Sequence, residues 1–219
     1  MANISLSVVL PAHNEEENIA NTVSDCLSYL GSGFSEYEVI VVNDGSRDRT
    51  REIVEELSSK NPAVVLVNHE VNKGYGSALR SGFDKASLDY IFFMDSDGQF
   101  NITDLDRLIP LTGGNNVVIG YRENRADSFI RLLNAWMYGL YIWLVFGLSV
   151  KDMDCAFKIF PTEAYHKVRP IKAGGALFSA EFLIKLKRVG YVFREVPVRH
   201  FPRKFGTQSG ANLKVILRM

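Results

Sequence analysis

Four short apolar runs, each followed by polar residues and then by a stretch with helical spacing, constrain this chain more than any other feature. LSVVLP (Leu6 to Pro11), YEVIVVND (Tyr37 to Asp44), AVVLVNH (Ala63 to His69) and YIFFMD (Tyr90 to Asp95) have the length of strands and no alternation of apolar with polar residues. That is the pattern of strands covered on both faces. Between them, Glu15 to Leu30 carries Ile19, Val23, Cys26, Leu27 and Leu30 at helical spacing. Ser46 to Lys60 starts on a capping residue and runs as an amphipathic helix, and Gly74 to Ser87 reads as a third helix. Such alternation predicts an α/β domain whose mostly parallel, Rossmann-like sheet is flanked by helices.

Beyond about residue 120 the pattern loosens. A helix is expected from Ser128 to Leu148, a strand over Asp154 to Phe160, a helix over Ser179 to Gly190, a strand over Tyr191 to Val198, and a mobile loop from His200 to Gly210. A single domain over residues 1–219 is the expectation, with about 1–120 binding a nucleotide and about 121–219 presenting the acceptor. Hydrophobic residues make up 47% of the chain, enough for a real core, and the formal net charge of zero argues against nucleic acid as a partner. The two cysteines form no framework, which fits a reduced, cytoplasmic compartment. The first residues read as a strand rather than a signal peptide. The longest apolar stretch, Ala135 to Leu148, falls short of the roughly 20 residues that span a bilayer, so a soluble or peripheral protein is expected.

In open parallel sheets, ligands bind beyond the carboxyl ends of the strands. Here those ends read PAHNEE, NDGS and DSDGQ. The last places Asp95 and Asp97 one residue apart at the end of a buried run. Carboxylates that close repel each other, and a cation keeps both ionised. Oxygen ligands shared with a diphosphate suit Mg²⁺ or Mn²⁺. A solvated acidic turn, and helix-capping roles for Glu15 and Asp44, are the plainer alternatives. No GxxxxGK loop and no GxGxxG fingerprint is present to hold phosphate instead.

VVLPAHNEEENI, VIVVNDGSRDRT, NKGYGSALRSGF and FFMDSDGQF together resemble the inverting family 2 glycosyltransferases of GT-A fold, over about Leu6 to Ser209. Within them they resemble the branch of dolichyl-phosphate mannose synthase and other polyprenyl-phosphate glycosyltransferases. The resemblance implies a hexosyltransferase with a metal held by Asp95, Asp97 and Gln99. It implies a nucleotide-sugar pocket drawing on Pro11, His13, Glu15, Asp44, Lys73, Asp95, Ser96 and Gln99. The family often has Tyr where this chain has His13. In the second half, GYRENRADSFIR supplies Arg122 and Arg131 as phosphate contacts, with Arg125 read as a solvated cation. KDMDCAFKIF resembles the D-x-T-S-G-F-R segment and points to Asp152, with Asp154, Cys155 and Ala156 departing from the pattern. PRKFGTQS resembles the R-x-x-G-x-S loop and points to Arg203, Lys204 and Ser209, on a lid that orders when ligands bind.

What the resemblance implies is inverting transfer from a nucleoside-diphosphate sugar (GDP-mannose or a UDP-sugar) to a polyprenyl phosphate, through an oxocarbenium-like transition state. Asp97, Arg122, Arg131, Asp152 and Arg203 are the expected catalytic groups. A lipid phosphate is largely ionised at neutral pH and needs arginines rather than a base. A saccharide hydroxyl needs a base, for which Asp152 is the candidate. A catalytically inactive membrane-docking homologue is a further alternative, and a pyrophosphorylase is disfavoured because PAHNEE is acidic and lacks glycine. Trp136, Tyr138, Tyr141 and Trp143 lie among aliphatic residues. That suits peripheral contact with the cytoplasmic face of a membrane, against the alternatives of a buried helix or a homo-oligomer contact.

Overall fold

The computed structural model describes residues 4–123, 129–175 and 177–206, with the side chains of 129–136 outside that set. Seven strands form one sheet: β1 (Leu6–Ala12), β2 (Tyr37–Asp44), β3 (Val64–His69), β4 (Tyr90–Met94), β5 (Asn116–Arg122), β6 (Phe157–Pro161) and β7 (Val192–Val198). The helices are α1 (Ile19–Gly33), α2 (Thr50–Lys60), α3 (Tyr75–Lys85), the single turn α4 (Leu105–Leu108), α5 (Phe129–Phe146), α6 (Thr162–Val168) and α7 (Leu177–Arg188). The strand order is β3-β2-β1-β4-β6-β5-β7. The first four in that order are mutually parallel, β6 is antiparallel to both its neighbours, and β7 is parallel to β5.

The apolar runs lack alternation because each strand feeds two cores. Val8, Leu10, Val39, Val41, Phe92 and Met94 pack with Ile19, Val23, Cys26 and Val54 on the face of α1 and α2. Val9, Ile40, Val42, Ile91 and Phe93 pack with Leu79, Phe83, Phe178 and Phe182 on the face of α3 and α7. Helix α3 lies close on β1 because Gly82 has no side chain: a Cβ there would stand 2.3 Å from Val9 Cγ1.

The strand order reverses at β1: β2 and β3 follow on one side of it and β4 lies on the other, both neighbours parallel to it. This is the switch point at which open sheets leave a crevice. Several expectations need adjustment. Helix α1 starts at Ile19, because Glu15 to Asn18 fold into a turn on the carbonyl of Glu15. Helix α2 starts at Thr50, after an Arg49 N-cap, and the Asp48 carboxylate one residue earlier accepts from Thr50 N and Oγ1. Ser46 instead accepts the amide of Asn14. Strand β5 and helix α6 were not anticipated. The segment after β7 is not loose over its described part: Phe100 and His200 form a bridge, and the amide of Phe201 donates to the carbonyl of Gln99.

Candidate active site

The carboxyl ends of β1, β2 and β4 converge, as the sequence implied. Pro11, the penultimate residue of β1, accepts Ser96 Oγ on its carbonyl at 2.7 Å, which fastens the loop after β4 to β1. Thr22 Oγ1 reaches the Ser96 carbonyl from α1. His13 donates from Nδ1 to the Asp44 carbonyl at 2.9 Å, tying the β1 and β2 loops together. Asn14 between them takes φ 56° and accepts the amide of Arg47. Asp44 is buried and saturated by its neighbours. Its oxygens accept the amides of Lys73 at 2.9 Å and Gly74 at 2.8 Å, and His69 Nδ1 stands 2.7 Å away. Asp44 therefore shapes the turn that opens α3, and Lys73 enters the site through its backbone, its side chain being exposed.

Asp95 and Asp97 sit half-buried at the rim. Burial, and then the neighbouring Asp97 charge, push the Asp95 carboxyl up to about 7. A hydrogen bond from the Tyr75 hydroxyl and the charges of Lys158 and Arg122 oppose that rise without cancelling it. Tyr75 is held well above its ordinary range by burial and by the same carboxylate. Asp97 accepts the amide of Gln99 on Oδ1 at 3.1 Å and Arg203 Nη1 on Oδ2 at 3.3 Å. Among the described residues no group of three acidic, His or Cys side chains is placed to hold a metal unaided. The set fits a hard divalent cation that takes its other ligands from diphosphate and water. Gln99 commits its amide nitrogen to the Phe201 carbonyl at 2.9 Å, so Oε1 is the atom of that side chain with a lone pair to offer a cation.

Arg203 joins parts of the site that lie far apart in sequence. Its Nη2 donates to Glu15 Oε1 at 2.6 Å, while Nη1 reaches Asp97 and Nε reaches the Phe205 carbonyl. Gly206 leaves room for it, since a Cβ there would lie 2.7 Å from the guanidinium. Lys204 lines a cavity of about 190 Å³ beside Asp97, together with Asn18, Thr22 and Phe205.

Arg122 closes β5 and grips Asp152 in a fork, Nε to Oδ2 at 2.7 Å and Nη2 to Oδ1 at 2.8 Å, with Asp152 almost wholly buried. The fork holds the segment before β6 against the end of β5. Arg125, Ser209 and the side chain of Arg131 lie outside the described residues. Two contributors escaped sequence reasoning. Tyr75 lies in the helix expected over Gly74 to Ser87, and nothing in that spacing marks its hydroxyl as a partner of Asp95. Lys158 passed as one polar residue in the apolar segment FKIF, although a lysine in a strand covered on both faces is a signal in itself. It is 1% exposed, and burial lowers its pKa.

The chain is similar to a dolichyl-phosphate beta-glucosyltransferase of Drosophila melanogaster, 31% identical over 90% of this chain and 67% of that protein. It is also similar to an undecaprenyl-phosphate 4-deoxy-4-formamido-L-arabinose transferase of Edwardsiella ictaluri, 27% identical over 96% of this chain and 64% of that protein. The chain thus spans about two thirds of the length of these curated relatives. Among solved structures it resembles glucosyl-3-phosphoglycerate synthase from Mycobacterium tuberculosis with Mn²⁺, UDP and glucosyl-3-phosphoglycerate. That match has a TM-score of 0.64 and 26% identity, covering 93% of this chain and 74% of that one. The expected GT-A architecture is the one found. The glycosyl transferase family 2 model matches residues 7–169, which contain both the DSDGQ rim and the Arg122–Asp152 fork, and the chain belongs to that family.

Proposed function

We propose that this chain transfers a hexosyl group, with inversion, from a nucleoside-diphosphate sugar to a polyprenyl phosphate at a membrane surface. The observation that carries the reading is the pairing of two differently built clusters at one rim. Asp95 and Asp97 lie at the end of β4, and the Arg122–Asp152 fork lies two strands away at the end of β5. The first suits a Mg²⁺- or Mn²⁺-bound diphosphate, and the cation, when bound, neutralises the departing nucleoside diphosphate. Asp95 and Asp97 would hold it, with Gln99 Oε1 beside them. Pro11, His13, Glu15, Asp44, Lys73 and Ser96 build the nucleotide side of the crevice. Arg203 and Lys204 carry positive charge to the diphosphate, and Arg131 and Ser209 take the phosphate-contact roles that the resemblance gives them.

The fork favours a phosphate acceptor over a saccharide hydroxyl. A carboxylate locked to a guanidinium is a poor proton acceptor, so Asp152 is badly placed to be the base that a hydroxyl needs. An ionised phosphate needs only to be held. Between GDP-mannose and a UDP-sugar, the dolichyl-phosphate beta-glucosyltransferases among the relatives favour UDP-glucose as the donor.

Helix α5 supports the membrane location. Met137, Tyr141, Trp143, Leu144 and Val145 are each more than half exposed, and Ile142 faces the core. Lys187 and Arg188 rim its carboxyl end, Lys187 donating to the Gly147 carbonyl and Arg188 lying over the Phe146 ring at 5.9 Å. An apolar face with a cationic border fits an anionic bilayer surface. No helix among the described residues is long and apolar enough to cross a membrane.

The test is transfer of labelled sugar from UDP-glucose, GDP-mannose and UDP-N-acetylglucosamine to a short polyprenyl phosphate, with Mn²⁺ or Mg²⁺. Lipid product that requires the metal and disappears in Asp97→Ala is expected. Donor binding without lipid product from any of the three would overturn the acceptor assignment.

A further inference from the structure

Strand β6 is the one described strand that runs against its neighbours, so its beginning rather than its end lies at the rim. Phe157 is registered opposite Met94, and Lys158 opposite Phe93 on β4 and Ile119 on β5. Its neighbours on the same face, Ala156 and Phe160, belong to the core under α3 and α7. Position 158 is therefore one at which the sheet calls for an apolar side chain, directly beneath the DSDGQ loop. It holds an ammonium instead.

Burying a cation there is costly unless groups around it compensate. They do so on one side only. Lys158 Nζ donates to the Cys155 carbonyl, lies 5.3 Å from the centre of the Phe93 ring, and feels the charges of Asp154, Asp152 and Asp95. The Cys155 amide in turn donates to the Asp152 carbonyl at 3.3 Å. A continuous chain of contacts thus runs from the buried ammonium through the 152–155 turn to the carboxylate gripped by Arg122.

We propose that Lys158 is a positioning residue, which pins the turn before β6 from below and so holds Asp152 and Arg122 in register with the Asp95 loop. The proposal rests on the reading of Arg122 and Asp152 as acceptor-side groups, and it does not place Lys158 in contact with either substrate. A guanidinium also carries several N–H donors, so arginine at 158 can keep a bond to the Cys155 carbonyl that methionine cannot make.

Two variants test it, Lys158→Met and Lys158→Arg. Methionine is flexible and apolar and suits the surrounding core, so the first variant is expected to fold with unchanged or higher thermal stability. Hydrogen exchange of the amides over 152–156 should accelerate in Lys158→Met while the DSDGQ loop keeps its protection, and Lys158→Arg should restore the wild-type pattern. Affinity for UDP with Mn²⁺, measured well above pH 7, should fall far less than kcat/KM for the polyprenyl phosphate, which should fall about 10- to 100-fold, as for other supporting contacts behind a site. Wild-type protection of 152–156 in Lys158→Met overturns the proposal. So does a joint loss of UDP binding and thermal stability that arginine does not rescue, since that marks a residue serving only the fold. A wild-type protein that transfers to no polyprenyl phosphate overturns the reading of the reaction, while the exchange data still decide for or against Lys158.

Discussion

Asp95 carries a charge that its surroundings oppose. Its carboxyl sits at about 7 in place of 3.8, raised by burial and by Asp97. The sign of the consequence follows. Between those values the folded protein holds a proton that the unfolded chain has released, so the metal-free protein loses stability as the pH rises through that window. A divalent cation must displace the same proton. Mn²⁺ affinity is therefore expected to be flat above about pH 7 and to weaken by up to about tenfold per unit below it. Free Mn²⁺ followed by electron paramagnetic resonance checks this, and an affinity that stays constant from acid to neutral pH contradicts it. At this scale the sequence was partly legible. Two carboxylates one residue apart after a buried run announce themselves. The link from Arg203 to Glu15 spans almost the whole chain, and spacing carries no trace of it. Asp44 was visible as a polar strand end, but its service to the Lys73–Gly74 turn depends on where that turn folds back.

Among the elements, the strands buried on both faces were readable because each feeds two cores and so shows an unbroken apolar run. The direction of β6 was not, since apolarity and length are the same for either orientation. Strand β5, in NNVVIGYR, follows two glycines and holds a third within it, and its identity is fixed by pairing with β6 and β7 rather than by its own pattern. The seat of α3 on β1 was equally hidden, since nothing local marks Gly82 as the point of closest approach. Gly82→Ala should force that helix outwards from Val9 and Val42, with a loss of about 1–3 kcal/mol typical of overpacking. Urea unfolding measures it. A variant as stable as the parent would mean that α3 shifts freely on the sheet.

For the whole molecule, two groups of strands bring their loops to one rim. The parallel strands β3, β2, β1 and β4 bring one set of polar loops to the rim, and β6, β5 and β7 bring the other. Ligands that bridge the rim should stabilise the fold by mass action. UDP at one hundred times its dissociation constant, with Mn²⁺, is expected to add about 2.7 kcal/mol. A thermal shift that needs both components, and that is abolished by chelation or by Asp97→Asn, is the predicted result. A shift with UDP alone would remove the metal from the binding site.

The reversed strand has a consequence for how such a protein can diversify. Because β6 enters the sheet at the rim, the residues before it can be exchanged, lengthened or shortened without moving the strands that build the donor crevice. On the proposed function, a lineage on this scaffold can vary the acceptor side one loop at a time while the strands that carry the Asp95 loop stay as they are.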